Sequence, residues 1–138
     1  MSVADDAESE VEALHDFIED WFAGRLPETA FDHPEAALAD DFRLITPRSE
    51  RRDKDSVLST LRSAHASKSG SVPPFEISIE RLTVRDDGDD HCLLTYEEWQ
   101  RDDGDRTGRR STALFRPAEA APNGVEWVHL HESWIPAE

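Results

Sequence analysis

The chain has 138 residues, enough for one domain around one hydrophobic core and too few for two ordinary ones. Its 31 acidic and 15 basic residues leave a formal charge of -16, which repels phosphate backbones and anionic lipid surfaces and argues against nucleic acid or a membrane as partner. Cys92 is the single cysteine, so no intramolecular disulfide forms, and no run approaches the roughly 20 apolar residues that a bilayer-spanning helix needs.

The opening decapeptide, M-S-V-A-D-D-A-E-S-E, is acidic where a secretory signal starts basic and turns apolar, so a cytoplasmic location is the expectation. Residues 1–7 are expected to form a disordered acidic tail of a single domain spanning 1–138. Lys54 and Lys68 are the only lysines, and the surplus of carboxylates suits a salt-rich cytosol, where a Debye length of about 3 Å at 1 M hides self-repulsion. A halophilic source is therefore expected, read as stability that rises steeply with added KCl and contradicted by equal stability without salt.

From Glu8 to Ala23 the apolar residues Val11, Leu14, Phe17, Ile18, Trp21 and Phe22 recur at three- and four-residue spacing, and Gly24 stands where a helix C-cap belongs. The spacing predicts an amphipathic helix, with His15 and Asp16 at the edge of its stripe and expected to be exposed. After Leu26-Pro27, Asp32 is placed to cap a short helix through Leu38. In A-D-D-F-R-L-I-T-P, Phe42, Leu44 and Thr46 alternate with Arg43 and Ile45 before Pro47, which predicts a strand. Arg48 to Arg52 reads as a solvated loop, with an anion clamp as its alternative. Asp53 or Asp55 caps a second long helix along Val57, Leu58, Leu61, Ala64 and His65, and Ser67 to Pro74 reads as a connecting loop.

Four further strands follow, over Phe75–Val84, Cys92–Gln100, Thr107–Arg116 and Val125–Trp134. The linkers R-D-D-G-D-D and R-D-D-G-D-R-T-G carry Asp-Gly at their centres, a strong hairpin signal, and lack the Asp-x-Asp-x-Asp-Gly spacing of a calcium loop. The fold class is α+β, with helices on one face of an antiparallel sheet. The last strand, V-E-W-V-H-L-H-E-S-W, turns Trp127, His129, His131 and Ser133 to one face and Val128, Leu130, Glu132 and Trp134 to the other.

The order of elements, the piece L-A-D-D-F-R-L-I-T-P with D-K-D-S-V-L-S-T-L after it, and the ending V-H-L-H-E-S resemble the nuclear transport factor 2-like superfamily. Within it the chain is most similar to SnoaL-like domains and to the association domain of calcium/calmodulin-dependent protein kinase II. The resemblance covers Glu8 to Trp134. It implies a strongly curved antiparallel sheet wrapped on a long N-terminal helix, with further short helices, forming a cone with an internal pocket. It also implies a homodimer formed through the outer sheet surface. Ketosteroid isomerase shares the cone, but its carboxylate base before the proline is Thr46 here, and its first-helix tyrosine is matched by Phe17 and Trp21. The arginines that line the kinase domain's cavity align with Glu97 and Ala113.

If the odd-numbered face of the last strand looks inward, Glu97, His129 and His131 form a candidate catalytic cluster. Phe17, Trp21, Trp99, Arg109, Ser111, Phe115 and Trp127 are then the candidate ligand-binding residues. A carboxylate beside an imidazole suits acid–base chemistry, and two histidines with a carboxylate can also hold Zn or Fe. Equally, paired strand histidines can satisfy buried polar partners or lie at a subunit interface. No Gly-rich phosphate loop or Gly-x-Ser-x-Gly elbow is present, and neither cofactor nor metal is expected. The expectation is a small-molecule-binding domain with a semi-polar, aromatic-lined pocket. Its alternative is a cofactor-free cyclase, isomerase or hydratase.

Overall fold

The structure, a computed structural model, describes residues 2–136. Helix α1 (Val3–Ala23) starts where the Ser2 hydroxyl accepts from the Asp5 amide at 3.1 Å, and it ends at Gly24, whose φ of 79° only glycine adopts cheaply. The helix thus begins five residues before Glu8. Residues 3–7, expected in a disordered tail, are helical, and Ala4 and Ala7 are buried against the sheet because they continue the apolar stripe by one and a half turns.

Helix α2 (Asp32–Ala37) carries Phe31 at its N-cap position with no side-chain cap, so Asp32 lies in the first turn rather than capping it. Strand β1 (Leu38–Ile45) leads through a tight turn into β2 (Arg51–Asp53), a short strand in what reads as a loop. The Thr46 hydroxyl closes that turn by accepting from the Arg48 and Glu50 amides at 3.3 and 3.2 Å. Helix α3 (Lys54–Ser63) is capped by Asp53, which accepts from the Ser56 amide at 2.9 Å. Then come β3 (Glu76–Asp87), β4 (Cys92–Asp102), β5 (Asp105–Pro117) and β6 (Val125–Trp134).

The six strands form one open, curved sheet in the order β2-β1-β6-β5-β4-β3. All pairings are antiparallel except β1 with β6, which run parallel. A hairpin forces antiparallel neighbours, but β1 and β6 are joined through α3 and the whole meander, and a connection that long permits the other direction. Val11 and Leu14 of α1 pack onto Leu94, Ala113, Phe115 and Trp127 to make the core.

Two details of register decide which side chains face that core. Asp103 and Gly104, with φ of 52° and 85°, make a two-residue turn of the primed type. Asp102 then pairs with Asp105, so even residues of β4 share a face with odd residues of β5: Tyr96 with Ser111, Glu98 with Arg109. Further on, Ser111 pairs with Glu132 and Leu114 with His129, but Phe115 pairs with Trp127. Val128 is the extra residue of a β-bulge, and the inward face of β6 switches there from odd to even numbers.

Candidate active site

A cavity of about 300 Å³ lies between α1, α3 and the inner face of the sheet. Its walls are apolar: Leu14, Ile18 and Phe22 from α1, Phe42 and Leu44 from β1, and Val57 and Leu61 from α3. Arg52 and Thr46 line it from the β1–β2 end. Five polar side chains converge on it from α1 and the central strands: His15, Glu98, Gln100, Arg109 and Glu132.

His15 is buried, and its ring makes two contacts. Nδ1 lies 2.7 Å from the Val11 carbonyl, which has no proton to give, so Nδ1 donates. Nε2 lies 3.0 Å from Glu98 Oε1, and that contact needs a second proton shared between imidazole and carboxylate. Burial disfavours the imidazolium, but the charge and hydrogen bond of Glu98 outweigh it, and the His15 pKa is raised. For Glu98 burial acts upward, while His15, Arg109 and Gln100 hold its carboxyl down at about 2. Gln100 Nε2 donates to Glu98 Oε2 at 2.6 Å, so both oxygens of Glu98 are engaged within the protein.

Glu132 is held differently. Its Oε1 accepts from Arg109 Nη1 at 3.2 Å, and Oε2 has no hydrogen-bond partner among the described residues and is not sealed from the cavity. Burial and the neighbouring Glu98 charge push its pKa up to about 7 against the pull of Arg109. Beside this pair, Tyr96 and Ser111 carry hydroxyls buried without a partner among the described residues. Burial and the two carboxylates raise the Tyr96 phenol well above its usual range.

The residues singled out from sequence divide sharply. Arg109 and Trp127 line the cavity. Glu97 stands on the opposite sheet face from Glu98, accepting from Trp99 Nε1 at 3.0 Å and lying 3.5 Å from Arg81. Trp99 covers Gly108 on that outer face, with the Arg106 guanidinium 3.9 Å from its ring. The bulge at Val128 turns His129 and His131 outward too, their ring centroids 6.5 Å apart and neither at the cavity. The cluster of Glu97, His129 and His131 therefore forms no part of the cavity.

Phe17 stacks on Trp21 and on His33, and both Phe17 and Trp21 meet Phe31 at an angle, away from the cavity; Trp21 Nε1 donates to the Leu61 carbonyl at 2.7 Å. Phe115 packs against Trp127 within the core, and Ser111 faces inward behind the cavity lining. His65 donates to or accepts at no cavity group: its Nε2 meets the Leu26 carbonyl at 2.6 Å. Missing from the sequence reading are His15, expected to be exposed, together with Glu98, Gln100 and Glu132.

One further buried carboxylate sets the position of Trp127. Glu10 of α1 is fully buried and meets the Trp127 indole N–H, the Asn123 amide and His33 Nε2, each at 2.9 Å. It ties α1 to β6, to the loop before β6 and to α2. Among the described residues no helix is long and apolar enough to cross a membrane.

A family described as sucrose-6-phosphate phosphohydrolase C-terminal matches residues 8–136. Sucrose-phosphatase 2 of Nicotiana tabacum is 21% identical over 129 residues, which are 91% of this chain and 30% of that protein, so the chain spans under a third of this curated relative. Among solved structures, a nuclear transport factor 2-like protein of unknown function from Pseudomonas aeruginosa is 28% identical with a TM-score of 0.84, covering 95% of this chain and 99% of that one. The hub of the S. rosetta calcium/calmodulin-dependent protein kinase II is 15% identical with a TM-score of 0.73, covering 98% of each chain.

Proposed function

The chain belongs to the sucrose-6-phosphate phosphohydrolase C-terminal family and has the nuclear transport factor 2-like fold, and from that premise we propose that it is a small-molecule-binding domain. The ligand lies in the cavity, its apolar body against Phe22, Phe42 and Trp127 and its polar end on Arg109 and Glu132. One observation carries this reading: a cavity with mainly apolar walls holds, at one place, a carboxylate oxygen and a guanidinium with unused hydrogen-bonding capacity. About 300 Å³ suits a compact ligand at the small end of the usual range.

The test is a nuclear magnetic resonance screen of uncharged, mainly apolar ketones and alcohols. Binding is expected to perturb residues around Leu44, Leu61 and Trp127, and Leu61→Trp, which fills the cavity, abolishes it. Perturbations confined to the outer sheet face, or binding untouched by Leu61→Trp, contradict the assignment.

A second reading is a cofactor-free cyclase, isomerase or hydratase. It is favoured by the Glu132 carboxyl, which opens on the cavity with a pKa of about 7, the range a general acid or base needs. On this reading Glu132 moves the proton and Arg109 orients the substrate. Turnover that survives Glu132→Gln contradicts it. The second partner is another copy of the chain, seated on the outer sheet face along the cross-strand row Leu93, Leu114 and His129. A monomer in sedimentation equilibrium contradicts that.

A further inference from the structure

We propose that the inner end of the cavity selects its ligand by proton count: with a proton on Glu132 it takes a carbonyl oxygen, and without one it takes a hydroxyl. The inference rests on the cavity being the binding site and adds to it the chemical class of the ligand's polar end.

The geometry supplies the selection. Both Glu98 oxygens already accept within the protein, one from His15 and the other from Gln100. The oxygen without a partner among the described residues is Glu132 Oε2, and it stands beside an Arg109 that, among those residues, hydrogen-bonds to Glu132 Oε1 alone. Arg109 can only donate. When Glu132 is protonated, two donors converge on one spot, which an acceptor-only oxygen such as a ketone fills. When Glu132 is ionised, a donor and an acceptor stand side by side. A hydroxyl satisfies both, while a ketone oxygen faces a buried carboxylate with nothing to give it.

The groups facing Glu132 favour a proton-linked switch over a fixed charge. They are His15 of α1, Glu98 and Tyr96 of β4, and Arg109 of β5; Arg52 of β2 reaches the same cavity. The His15–Glu98 contact contains one imidazolium and one carboxylate and so adds no net charge. Arg109 is then balanced only while Glu132 is ionised, and burial together with the adjacent Glu98 opposes that ionisation. The two protonation states lie close enough in energy for a ligand to choose between them.

Camphor and borneol share one bicyclic skeleton and differ in carrying a ketone or a hydroxyl. Their dissociation constants, measured by nuclear magnetic resonance titration at about pH 5.5 and about pH 8.5, bracket the Glu132 value. The preference for camphor over borneol is expected to fall roughly tenfold from the acid to the alkaline condition, the difference of one buried hydrogen bond. In Glu132→Gln the preference stays constant with pH. By linkage, camphor must raise the Glu132 pKa, read from the carboxyl resonance of carbon-labelled wild-type protein, which needs no variant to fold. A preference independent of pH in the wild type, a shift that persists in Glu132→Gln, or a carboxyl titration unmoved by camphor overturns the inference while leaving the cavity as the binding site. If neither probe binds at either pH, both fall together.

Discussion

Glu98→Ala is expected to lower the stability of the folded chain by about 3–5 kcal/mol, because it strips the buried His15 ring of its ion-pair partner and Gln100 of its acceptor. Both side chains are buried, so solvent does not screen the loss. Denaturant titration of the single and double variants checks it: replacing His15 and Glu98 together by leucine should cost far less than the sum of the single losses. A loss under about 1 kcal/mol for Glu98→Ala would mean the pair is not a coupled unit.

The pair also has a pH signature. His15 is raised above 6.5, so its share of the stability is complete below that value and disappears as pH climbs through the higher folded value. Glu98 is depressed from 4.5 to about 2, so its share is present above 4.5 and is lost as pH falls toward 2. Glu132 acts in the opposite sense to Glu98: raised from 4.5 to about 7, it favours folding below 4.5 and withdraws that support as pH rises to 7. The stability profile therefore declines from mildly acid to neutral pH, and Glu132→Gln flattens that part.

The second large effect is expected at Glu10. Glu10→Ala strips three donors of their acceptor at once, the buried Trp127 indole and the half-buried His33 and Asn123, and since a buried orphan costs about 1–3 kcal/mol, a total loss of roughly 3 kcal/mol follows. The damage reaches the cavity, because the Trp127 indole is fixed by Glu10 and Trp127 also lines the cavity wall. Weaker ligand binding should accompany the lower thermal midpoint. A variant with unchanged midpoint would show that water replaces the carboxylate without penalty.

Much of the architecture was legible because it depends on periodicity and turn chemistry. The stripe from Val11 to Phe22 gives α1, and the Asp-Gly pairs give the hairpins. The family resemblance, taken from the L-A-D-D-F-R-L-I-T-P piece and the last strand, agrees with the fold found. The site was less legible, for two identifiable reasons. A two-residue turn at Asp103-Gly104 makes paired residue numbers sum to an odd value, which puts Glu98 rather than Glu97 beside Arg109. That much is readable from the turn motif. The bulge at Val128 is not, since no glycine or other residue with a conformational preference marks it, and one extra residue exchanged His129 and His131 for Leu130 and Glu132. His15 escaped notice for a third reason: it lies four residues after Val11 and three before Ile18, within the stripe, and its polarity suggested an edge that its burial contradicts.

Occupancy of the cavity is tested most directly by a crystal structure of the protein saturated with borneol. Density is expected for one molecule inside the cavity, its skeleton between Phe42 and Trp127 and its oxygen within about 3 Å of Glu132 Oε2 and an Arg109 N–H. An empty cavity at saturation, or borneol found only against Trp99 and Arg106 on the outer sheet face, would contradict it.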